Sequence, residues 1–351
     1  MEPATPRKLG YRMPAEWERH EATWLSWPKN PLTFPENVIG KVEIIFSQMV
    51  EALSRGEKVK ILVDDQDSSD RVAQIVDETG ASMSNVLLLK IRSADVWIRD
   101  YGPTFLLHSG NEGKAAVKWR FNAWGEKYDD LLYDDLTGDE MVRASEAKAF
   151  RPGIVMEGGS IDVNGKGSVL TTEQCLLNRN RNPQLAREEI EGYLEQYLNV
   201  DNIIWLRSGI EGDDTDGHVD DFARFVSSNR VLCAYSSSKL TENWKVLAEN
   251  LDLLKSATDQ DGEPLQVQKL PMPKPLWLEE EQRWLPASYA NFYVGNQVVL
   301  LPIFKDRNDQ KAIDILQQAF PDREIIPILA ADLVYGYGGI HCVTQQEPST
   351  D

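Results

Sequence analysis

A cysteine that follows two glycines near the end of the sequence is the first candidate for chemistry. The segment reads Gly338-Gly339-Ile340-His341-Cys342. Glycines let the backbone turn sharply or approach a ligand closely, so a cysteine just beyond them can be presented at the rim of a pocket. Most intracellular cysteines are small buried apolar residues, and this interpretation suits Cys175 and Cys233, which lie in apolar runs. We therefore treat Cys342 as the candidate nucleophile.

A nucleophilic cysteine needs an acid/base partner, and the chain has four histidines. His341 adjoins Cys342, and in an extended segment their side chains would point to opposite sides. His20 and His108 have no polar cluster beside them in the sequence and are expected to be structural. His218 stands among aspartates at a density that a purely structural loop would avoid, because like charges repel. His218 is the candidate acid/base.

Carboxylates near these segments could hold a planar cation. A guanidinium stays protonated and is matched by carboxylates in bidentate geometry. Asp100 in VWIRDYGP and Asp220 are suitable, and an extended strand would place His218 and Asp220 on one side. Glu157 in MEGGS could hydrogen-bond a histidine and favour its protonated form. The expected chemistry is attack by a thiolate on a guanidinium carbon, with Trp27 and Trp97 as apolar or cation–π walls.

The acidic run at 212–221 also permits metal-binding interpretations. An EF-hand loop with its glycine at Gly217 would lack both the first aspartate and the closing glutamate, so calcium is excluded. The pattern Asp216-x-His218-x-Asp220 resembles the DxHxD element of binuclear manganese ureohydrolases. Their second element has its only match in Asp65-x-Asp67-x-x-Asp70, which precedes the histidine instead of following it and lacks the closing proline. We expect no metal and keep the manganese enzyme as an alternative.

The composition restricts the choice of partner. A formal charge of −19 repels nucleic acid and anionic membranes and favours a cationic ligand, although an acidic surface that keeps a protein in solution explains the charge equally well. The sequence shows no apolar signal region and no run of about 18 apolar residues. Three cysteines do not suggest a disulfide framework. A cytoplasmic protein with no membrane partner and no nucleic-acid partner is expected.

Alternating short strands and amphipathic helices predict an α/β fold in a single domain, residues 1–351. The expected strands are Lys58–Val63, Val86–Ile91, Ala116–Phe121, Ile203–Leu206, Val231–Tyr235, Val298–Phe304 and Glu324–Ile328. The expected helices are Val38–Ser54, Pro183–Leu198, Glu242–Leu254 and Gln310–Phe320. The polar segments at 97–103, 156–160, 212–221 and 338–342 are each expected to follow or interrupt a strand, where a scaffold usually presents chemistry. The charged stretch 129–140 and the tail after Pro348 are the nearest to disorder.

Taken together, six segments resemble the agmatine deiminases of the guanidine-modifying pentein superfamily. They are MPAEWERHEATWLSWP at 13–28, VWIRDYGPTF at 96–105, MEGGSIDVNGKGSVLTTEQCLLNRNRNP at 156–183, GDDTDGHVDDFARFV at 212–226, LPASYANFY at 285–293 and GGIHCVTQQEP at 338–348. The resemblance implies a five-bladed, pseudosymmetric α/β propeller (the pentein fold). It also implies that Asp100 and Asp220 bind the guanidinium of agmatine, that Glu157 orients His218, the general acid/base, and that Cys342 is the nucleophile. No cofactor is implied.

One departure from the family pattern concerns Gly339. The family's nucleophile segment is expected to read GGGNIHC, so Gly339 stands in place of an asparagine whose side chain would be a donor near the substrate. The distal ammonium of agmatine needs acceptors, for which Glu211, Asp213 and Asp214 are candidates and Asp214 is preferred. Each of the three could instead brace its loop.

Other functions remain open at this point. They are a deiminase of arginine or peptidylarginine, the manganese ureohydrolase, and a non-catalytic polyamine-binding protein of the same fold. The sequence leaves the oligomeric state undecided, and a homodimer is one assembly that it allows.

Overall fold

The computed structural model describes residues 4–110, 113–239 and 241–350, in which strands and helices alternate along the chain. The strands are β1 (Tyr11–Arg12), β2 (His20–Ser26), β3 (Lys58–Val63), β4 (Val86–Lys90), β5 (Thr104–His108), β6 (Lys114–Val117), β7 (Lys148–Phe150), β8 (Asp162–Val163), β9 (Ser168–Thr172), β10 (Asn202–Leu206), β11 (Ala223–Phe225), β12 (Arg230–Tyr235), β13 (Gln266–Pro271), β14 (Leu276–Leu278), β15 (Arg283–Leu285), β16 (Tyr293–Val294), β17 (Val298–Ile303), β18 (Glu324–Leu329) and β19 (Gln345–Pro348). The helices are α1 (Glu36–Leu53), α2 (Gln66–Glu78), α3 (Ile98–Tyr101), α4 (Ala123–Glu126), α5 (Asp134–Ala144), α6 (Glu173–Leu176), α7 (Arg187–Leu198), α8 (Glu242–Ser256) and α9 (Asp309–Ala319). The predicted α/β class is confirmed.

Five of the sheets repeat one arrangement of strands, and a separate hairpin joins β14 to β15. In each of the five, a central strand pairs antiparallel on one side and parallel on the other: β5-β6-β7, β8-β9-β10, β11-β12-β13, β16-β17-β18 and β19-β2-β3. A helix connects each parallel pair (α5, α7, α8, α9 and α1, respectively), as a parallel crossover requires. The last unit joins the two ends of the chain, because β19 pairs with β2.

Helix α1 shows why such a segment is a helix that covers a sheet. Its buried apolar side chains recur every three or four residues, so that they form one face: Val38, Val42, Ile45, Phe46, Met49, Val50 and Leu53. This face belongs to the largest buried apolar cluster, together with side chains of β3 and β17. Burial of each large apolar side chain contributes about 1.5–3 kcal/mol. Among the described residues, no helix is long and apolar enough to cross a membrane.

Two predicted boundaries are wrong. The strand expected at 116–121 ends at Val117, although the backbone continues extended and Arg120 forms an isolated bridge to Val155. Helix α7 begins at Arg187, four residues later than Pro183, where the prediction began.

The stretch 129–140, predicted to be close to disorder, is mostly helical. Helix α5 begins at Asp134, whose buried carboxylate accepts the backbone N–H groups of Ala94 and Asp95. Met141 and Val142 pack into the core. Acidic residues in the first turn suit the positive end of the helix dipole, which is why the charge density did not prevent helix formation. In the tail after Pro348, the Ser349 N–H donates to Arg19, and Asp351 lies outside the described residues.

Candidate active site

The chemistry-bearing residues lie just before the first strand of each of the five repeated units. These residues are at most 6 % exposed, and they are Asp100 before β5, Glu157 before β8, His218 and Asp220 before β11, Asn291 before β16 and Cys342 before β19. The four segments expected to follow or interrupt strands come after β4, β7, β10 and β18, each beyond a short connection. Each also leads into the first strand of the next unit, and with Asn291 five distant parts of the chain meet at one place.

The sulfur of Cys342 lies at the inner end of a cavity of about 150 Å³. The Asn291 side-chain nitrogen donates to Sγ at 3.2 Å, and Asp220 Oδ2 lies 3.9 Å from Sγ. Burial raises the pKa of the Cys342 thiol well above its usual range, and the carboxylates of Asp220, Asp221 and Asp100 raise this pKa further. A cation placed among these carboxylates would offset their effect and favour the thiolate.

Asn291 also explains the glycine at position 339. A Cβ added to Gly339 would come within 2.4 Å of the Asn291 side-chain oxygen, so a larger residue would displace Asn291. That oxygen accepts the backbone N–H of His341 at 2.8 Å, which fixes the amide nitrogen toward the sulfur. Asn291 thus supplies an amide donor to the sulfur, while the loss of a donor near the substrate, expected from Gly339, stays a prediction. Gly339 is not among the residues that line the cavity.

His218 lies between two carboxylates. Its Nδ1 is 3.7 Å from Asp100 Oδ1, its Nε2 is 3.8 Å from Glu157 Oε2, and neither nitrogen has a hydrogen-bond partner among the described residues. Burial lowers the pKa of His218, but Asp100, Cys175 and Glu157 outweigh this effect and hold the pKa well above its usual value. The expected strand is instead a 3-10 turn, Val219–Asp221. His218 directly precedes this turn, and Asp220 lies within it.

Glu157 is kept ionised by a buried arginine. Arg181 Nε donates to Glu157 Oε1 at 2.6 Å, and both side chains are fully buried. Burial acts to raise the pKa of Glu157, yet Arg181 and His218 together hold this pKa below its usual value. The sulfur of Cys175 lies 3.8 Å from Glu157 Oε2. Cys175 is therefore buried as expected, but it contacts the Glu157 carboxylate instead of lying in a purely apolar environment. Cys233 is buried in an apolar cluster.

Asp220 is oriented from behind by His341. His341 Nδ1 lies 2.7 Å from Asp220 Oδ2, and His341 Nε2 lies 2.7 Å from Glu16 Oε2. Burial acts to raise the pKa of Asp220, but His341 and His218 hold it below the usual value. The other oxygen, Asp220 Oδ1, is buried without a partner among the described residues. The backbone at 341–343 is a turn and not the extended segment for which opposite side-chain directions were predicted. His341 does not line the Cys342 cavity, and it positions the Asp220 carboxylate.

Asp100 completes the site and is held by Trp124 and Gly159. The Trp124 indole N–H donates to Asp100 Oδ2 at 2.9 Å, and the Gly159 N–H donates to Asp100 Oδ1 at 3.0 Å. Burial raises the pKa of Asp100 to about 6, although His218 acts to lower it. A Cβ on Gly159 would lie 2.5 Å from His218 Nδ1 and 3.1 Å from Asp220 Oδ2. Only glycine leaves room for all three side chains.

Of the five residues Trp27, Trp97, Glu211, Asp213 and Asp214, expected to bind substrate, only two line the cavity that contains Cys342. Trp97 and Asp214 line the cavity that contains Cys342. Trp27 lies elsewhere, packed on Phe46 with its indole N–H donating to Glu43. Glu211 lines a different cavity, beside Trp284. Asp213 accepts the backbone N–H groups of three residues in its own loop, Thr215, Gly217 and His218, and so braces that loop.

Two sets of three side chains could each converge on a metal ion: Glu157, Cys175 and His218 in one, and Asp220, Asp221 and Cys342 in the other. Neither is the ureohydrolase arrangement. Asp65 caps helix α2, and Asp216 is engaged by Arg181 at 2.7 Å and Lys127 at 3.0 Å. Among the described residues, neither set contains Asp216 or a residue of the 65–70 element, so the ligand pattern of the manganese alternative is not assembled.

Comparison with known proteins places this arrangement in a family. The model of the Porphyromonas-type peptidyl-arginine deiminases matches residues 12–348. The chain belongs to this family. Another similar protein, an agmatine deiminase from Ectopseudomonas mendocina (strain ymp), is 38% identical over 368 residues, which cover 98% of this chain and 97% of the relative.

Solved structures of agmatine deiminases share the whole fold. The Enterococcus faecalis agmatine deiminase, solved while catalysing its reaction, has a TM-score of 0.93 and 33% identity, covering 100% of this chain and 99% of the other. A cysteine-to-serine variant of the C. jejuni agmatine deiminase with substrate bound has a TM-score of 0.85 and 30% identity, covering 97% of this chain and 96% of the other. The family fold thus extends over the described chain.

Sequence reasoning missed several residues that hold the site. Asn291 lies in the segment LPASYANFY, which contributed to the resemblance but suggested no role for its asparagine. Arg181 holds Glu157, Trp124 donates to Asp100, and Glu16 contacts His341, which in turn positions Asp220. Trp124 reaches Asp100 from a left-handed backbone (φ 55°), a conformation that no local pattern predicted.

Proposed function

We propose that this chain is an agmatine deiminase, which hydrolyses agmatine to N-carbamoylputrescine and ammonia through a covalent cysteine S-alkylthiouronium. The observation that carries the proposal is a set of buried polar atoms at the Cys342 site that have no hydrogen-bond partner among the described residues. They are Asp220 Oδ1 and both ring nitrogens of His218. A guanidinium offers donors to Asp220 and Asp100 on one side and a central carbon to the thiolate.

The reaction begins with loss of the Cys342 thiol proton to solvent as the cationic substrate binds. The thiolate attacks the guanidinium carbon and forms a C–S bond, which gives a neutral tetrahedral adduct. Protonated His218 donates its proton to one amino nitrogen, the C–N bond breaks, and ammonia leaves a thiouronium on the sulfur.

Neutral His218 then takes a proton from water as the water oxygen attacks the same carbon. The second adduct collapses: the C–S bond breaks, the carbonyl forms, and the thiolate is regenerated. The hydroxyl proton released in this step ends on ammonia as ammonium. Overall, the alkylguanidinium and water give the alkylurea, N-carbamoylputrescine, and ammonium. Glu157, fixed by Arg181, keeps His218 in place through both halves.

Charge at the cavity favours agmatine over arginine. The charged residues that line it, among those the structure describes, are Asp100, Asp130, Asp214 and Glu281, and no Lys or Arg lines it. An α-carboxylate would be repelled by these four lining carboxylates, whereas a terminal ammonium is attracted. This argument also disfavours peptidylarginine, which lacks the second positive charge.

The fold is proposed to be a five-bladed propeller with the cavity near its centre. Support comes from the five units of like strand order and from the position of one site segment ahead of each unit's first strand. A cytoplasmic location is proposed as well, since Cys175, Cys233 and Cys342 are all unpaired thiols.

The test is ammonia release from agmatine, arginine and a peptidyl-arginine measured in parallel. We expect turnover of agmatine alone, no turnover by Cys342→Ser, and measurable agmatine binding by that variant in calorimetry. Near-normal turnover by Cys342→Ser would remove the proposed nucleophile. Turnover that disappears on EDTA treatment and returns with Mn²⁺ would instead support metal catalysis. Agmatine binding without turnover by the unmodified chain would indicate a polyamine-binding protein.

A further inference from the structure

The hairpin formed by β14 and β15 contributes one side chain to the wall of the cavity. The turn of this hairpin brings Glu281 to the cavity wall. Trp277 and Trp284 are directly opposed across the two strands, with ring centroids 4.8 Å apart, so the hairpin has its own side-chain support. Glu281 therefore reaches the cavity from an element that carries none of the residues around Cys342.

Glu281 is held by a tyrosine of the nucleophile segment. The Tyr337 hydroxyl donates to Glu281 Oε2, and Tyr337 itself lines the cavity. Arg283, the second residue after Glu281, places its guanidinium 3.2 Å over the Tyr337 ring. Tyr337 has a left-handed backbone (φ 72°), which is unfavourable for a residue with a side chain and needs support from its surroundings. The hydrogen bond to Glu281 and the contact with Arg283 hold its ring in place.

The three acidic side chains of the outer cavity differ in how far their charge is already satisfied. Asp214 accepts the Tyr128 hydroxyl, and the Lys127 ammonium lies 3.9 Å from its second oxygen. Asp130, on a short 3-10 turn, and Glu281 are both exposed, but of the two only Glu281 is held by a hydrogen bond among the described residues. Glu281 has no Lys, Arg or His within ion-pair distance in the described part of the chain, and only one of its oxygens is bonded to Tyr337.

From this geometry we propose that Glu281 is the acceptor for the distal ammonium of the substrate, and that Tyr337 is its positioning residue. The inference rests on the proposed function, since it requires a guanidinium to be bound near Cys342. The ammonium binds the free Glu281 oxygen, while Asp214 contributes a weaker attraction because Lys127 offsets it. The ammonium end of the substrate is thereby bound by Glu281, which accepts a hydrogen bond from Tyr337, five residues before Cys342.

A pair of substrates that differ only in the terminal amine tests this inference. Agmatine and n-butylguanidine share the guanidinium and the four-carbon chain, but butylguanidine has no ammonium. The full-length chain and its Glu281→Gln variant are assayed for kcat/KM on both. Glu281→Gln should lower kcat/KM for agmatine about tenfold, the effect of losing one charge-assisted hydrogen bond, mainly through KM. It should leave butylguanidine unchanged.

Glu280→Gln is the matched control, because it makes the same charge change one residue away on a side chain that does not line the cavity. Glu280→Gln should leave kcat/KM unchanged for both agmatine and butylguanidine. Tyr337→Phe keeps the ring beneath Arg283 but releases Glu281, so it should reduce agmatine turnover by less than Glu281→Gln and spare butylguanidine.

The outcomes separate this inference from the proposed function. An unmodified chain that turns over neither guanidine overturns both. Turnover of agmatine with the same agmatine-to-butylguanidine ratio in Glu281→Gln as in the unmodified chain overturns the inference alone. If Asp214→Asn lowers the agmatine-to-butylguanidine ratio of kcat/KM and Glu281→Gln does not, the ammonium is assigned to Asp214 and the inference is likewise overturned.

Discussion

The side-chain nitrogen of Asn291 lies 3.2 Å from the sulfur of Cys342, although the two residues are 51 positions apart in the sequence. The same amide group accepts the His341 N–H through its oxygen and donates to Asp221 through its nitrogen. Because both ends of the amide are engaged, its orientation toward the sulfur is fixed. Asn291 thus stabilises negative charge on the sulfur without itself taking part in proton transfer.

Replacement of Asn291 separates this electrostatic role from a structural one. Asn291→Ala should lower kcat for agmatine by about tenfold or more, because a donor to the thiolate is lost. Asn291→Asp keeps the size and the acceptor for His341 but removes the donor and adds like charge. It should be at least as slow as Asn291→Ala in steady-state kinetics. Recovery of activity in Asn291→Asp would contradict an electrostatic role.

Gly159 is predicted to be required for activity by the space around it. Gly159→Ala would place a methyl group 2.5 Å from His218 Nδ1, so the histidine and Asp100 must move. We expect a large loss of kcat and a lower melting temperature. Gly40→Ala serves as the control, since Gly40 is exposed on α1 with nothing within 4 Å of the added Cβ. It should be fully active and more stable by about 1 kcal/mol, the helix propensity difference.

The acid limb of the pH profile should report Asp100. Burial raises the pKa of this carboxyl to about 6, and only its ionised form binds a guanidinium. Below that pH the free enzyme carries a neutral Asp100, so kcat/KM for agmatine should fall as pH drops through about 6. Measurement of kcat/KM from about pH 4.5 upward checks this expectation. A profile that stays flat down to the ordinary aspartate range would show that Asp100 is not perturbed or not needed.

Cys175 is expected to act on His218 through its thiol. Burial lowers the pKa of His218, whereas Asp100, Cys175 and Glu157 raise it; the Cys175 sulfur lies 3.8 Å from Glu157 Oε2. Cys175→Ala should therefore lower the pKa of His218, measured by NMR titration of the imidazole resonances. Cys233→Ala, which removes a buried thiol from another apolar cluster, should leave this pKa unchanged. Equal effects of the two substitutions would point to a general packing change.

The sequence predicted the parts of the structure that local pattern determines. Helix α1 and strand β3 follow from apolar spacing, and Cys342 and His218 stand out because few residue types can do their chemistry. No local sequence pattern indicates the contacts that join distant segments. Asn291 could not be assigned from LPASYANFY because its partner lies 51 residues away. Helix α5 was missed because its acidic first turn conceals apolar residues that become buried only in the folded chain.

Roles that depend on loop geometry were the least predictable. Asp213, Asp214 and Glu211 are close in sequence and chemically alike, yet one braces its loop, one lines the Cys342 cavity and one lines another cavity. Glu281 carries no recognisable signal in the sequence, because its hairpin has no chemical motif and only the pairing of β14 with β15 brings it to the cavity.

The placement of site residues ahead of five separate strands makes enzymatic activity a late event in refolding. Arg99, beside Asp100, bonds to the backbone of His341, 242 residues away, and such distant contacts form slowly because a long loop must close first. Helices such as α1 can form locally long before that closure. Recovery of catalysis after dilution from denaturant should therefore lag behind recovery of helical circular dichroism, and no partly assembled intermediate should turn over substrate.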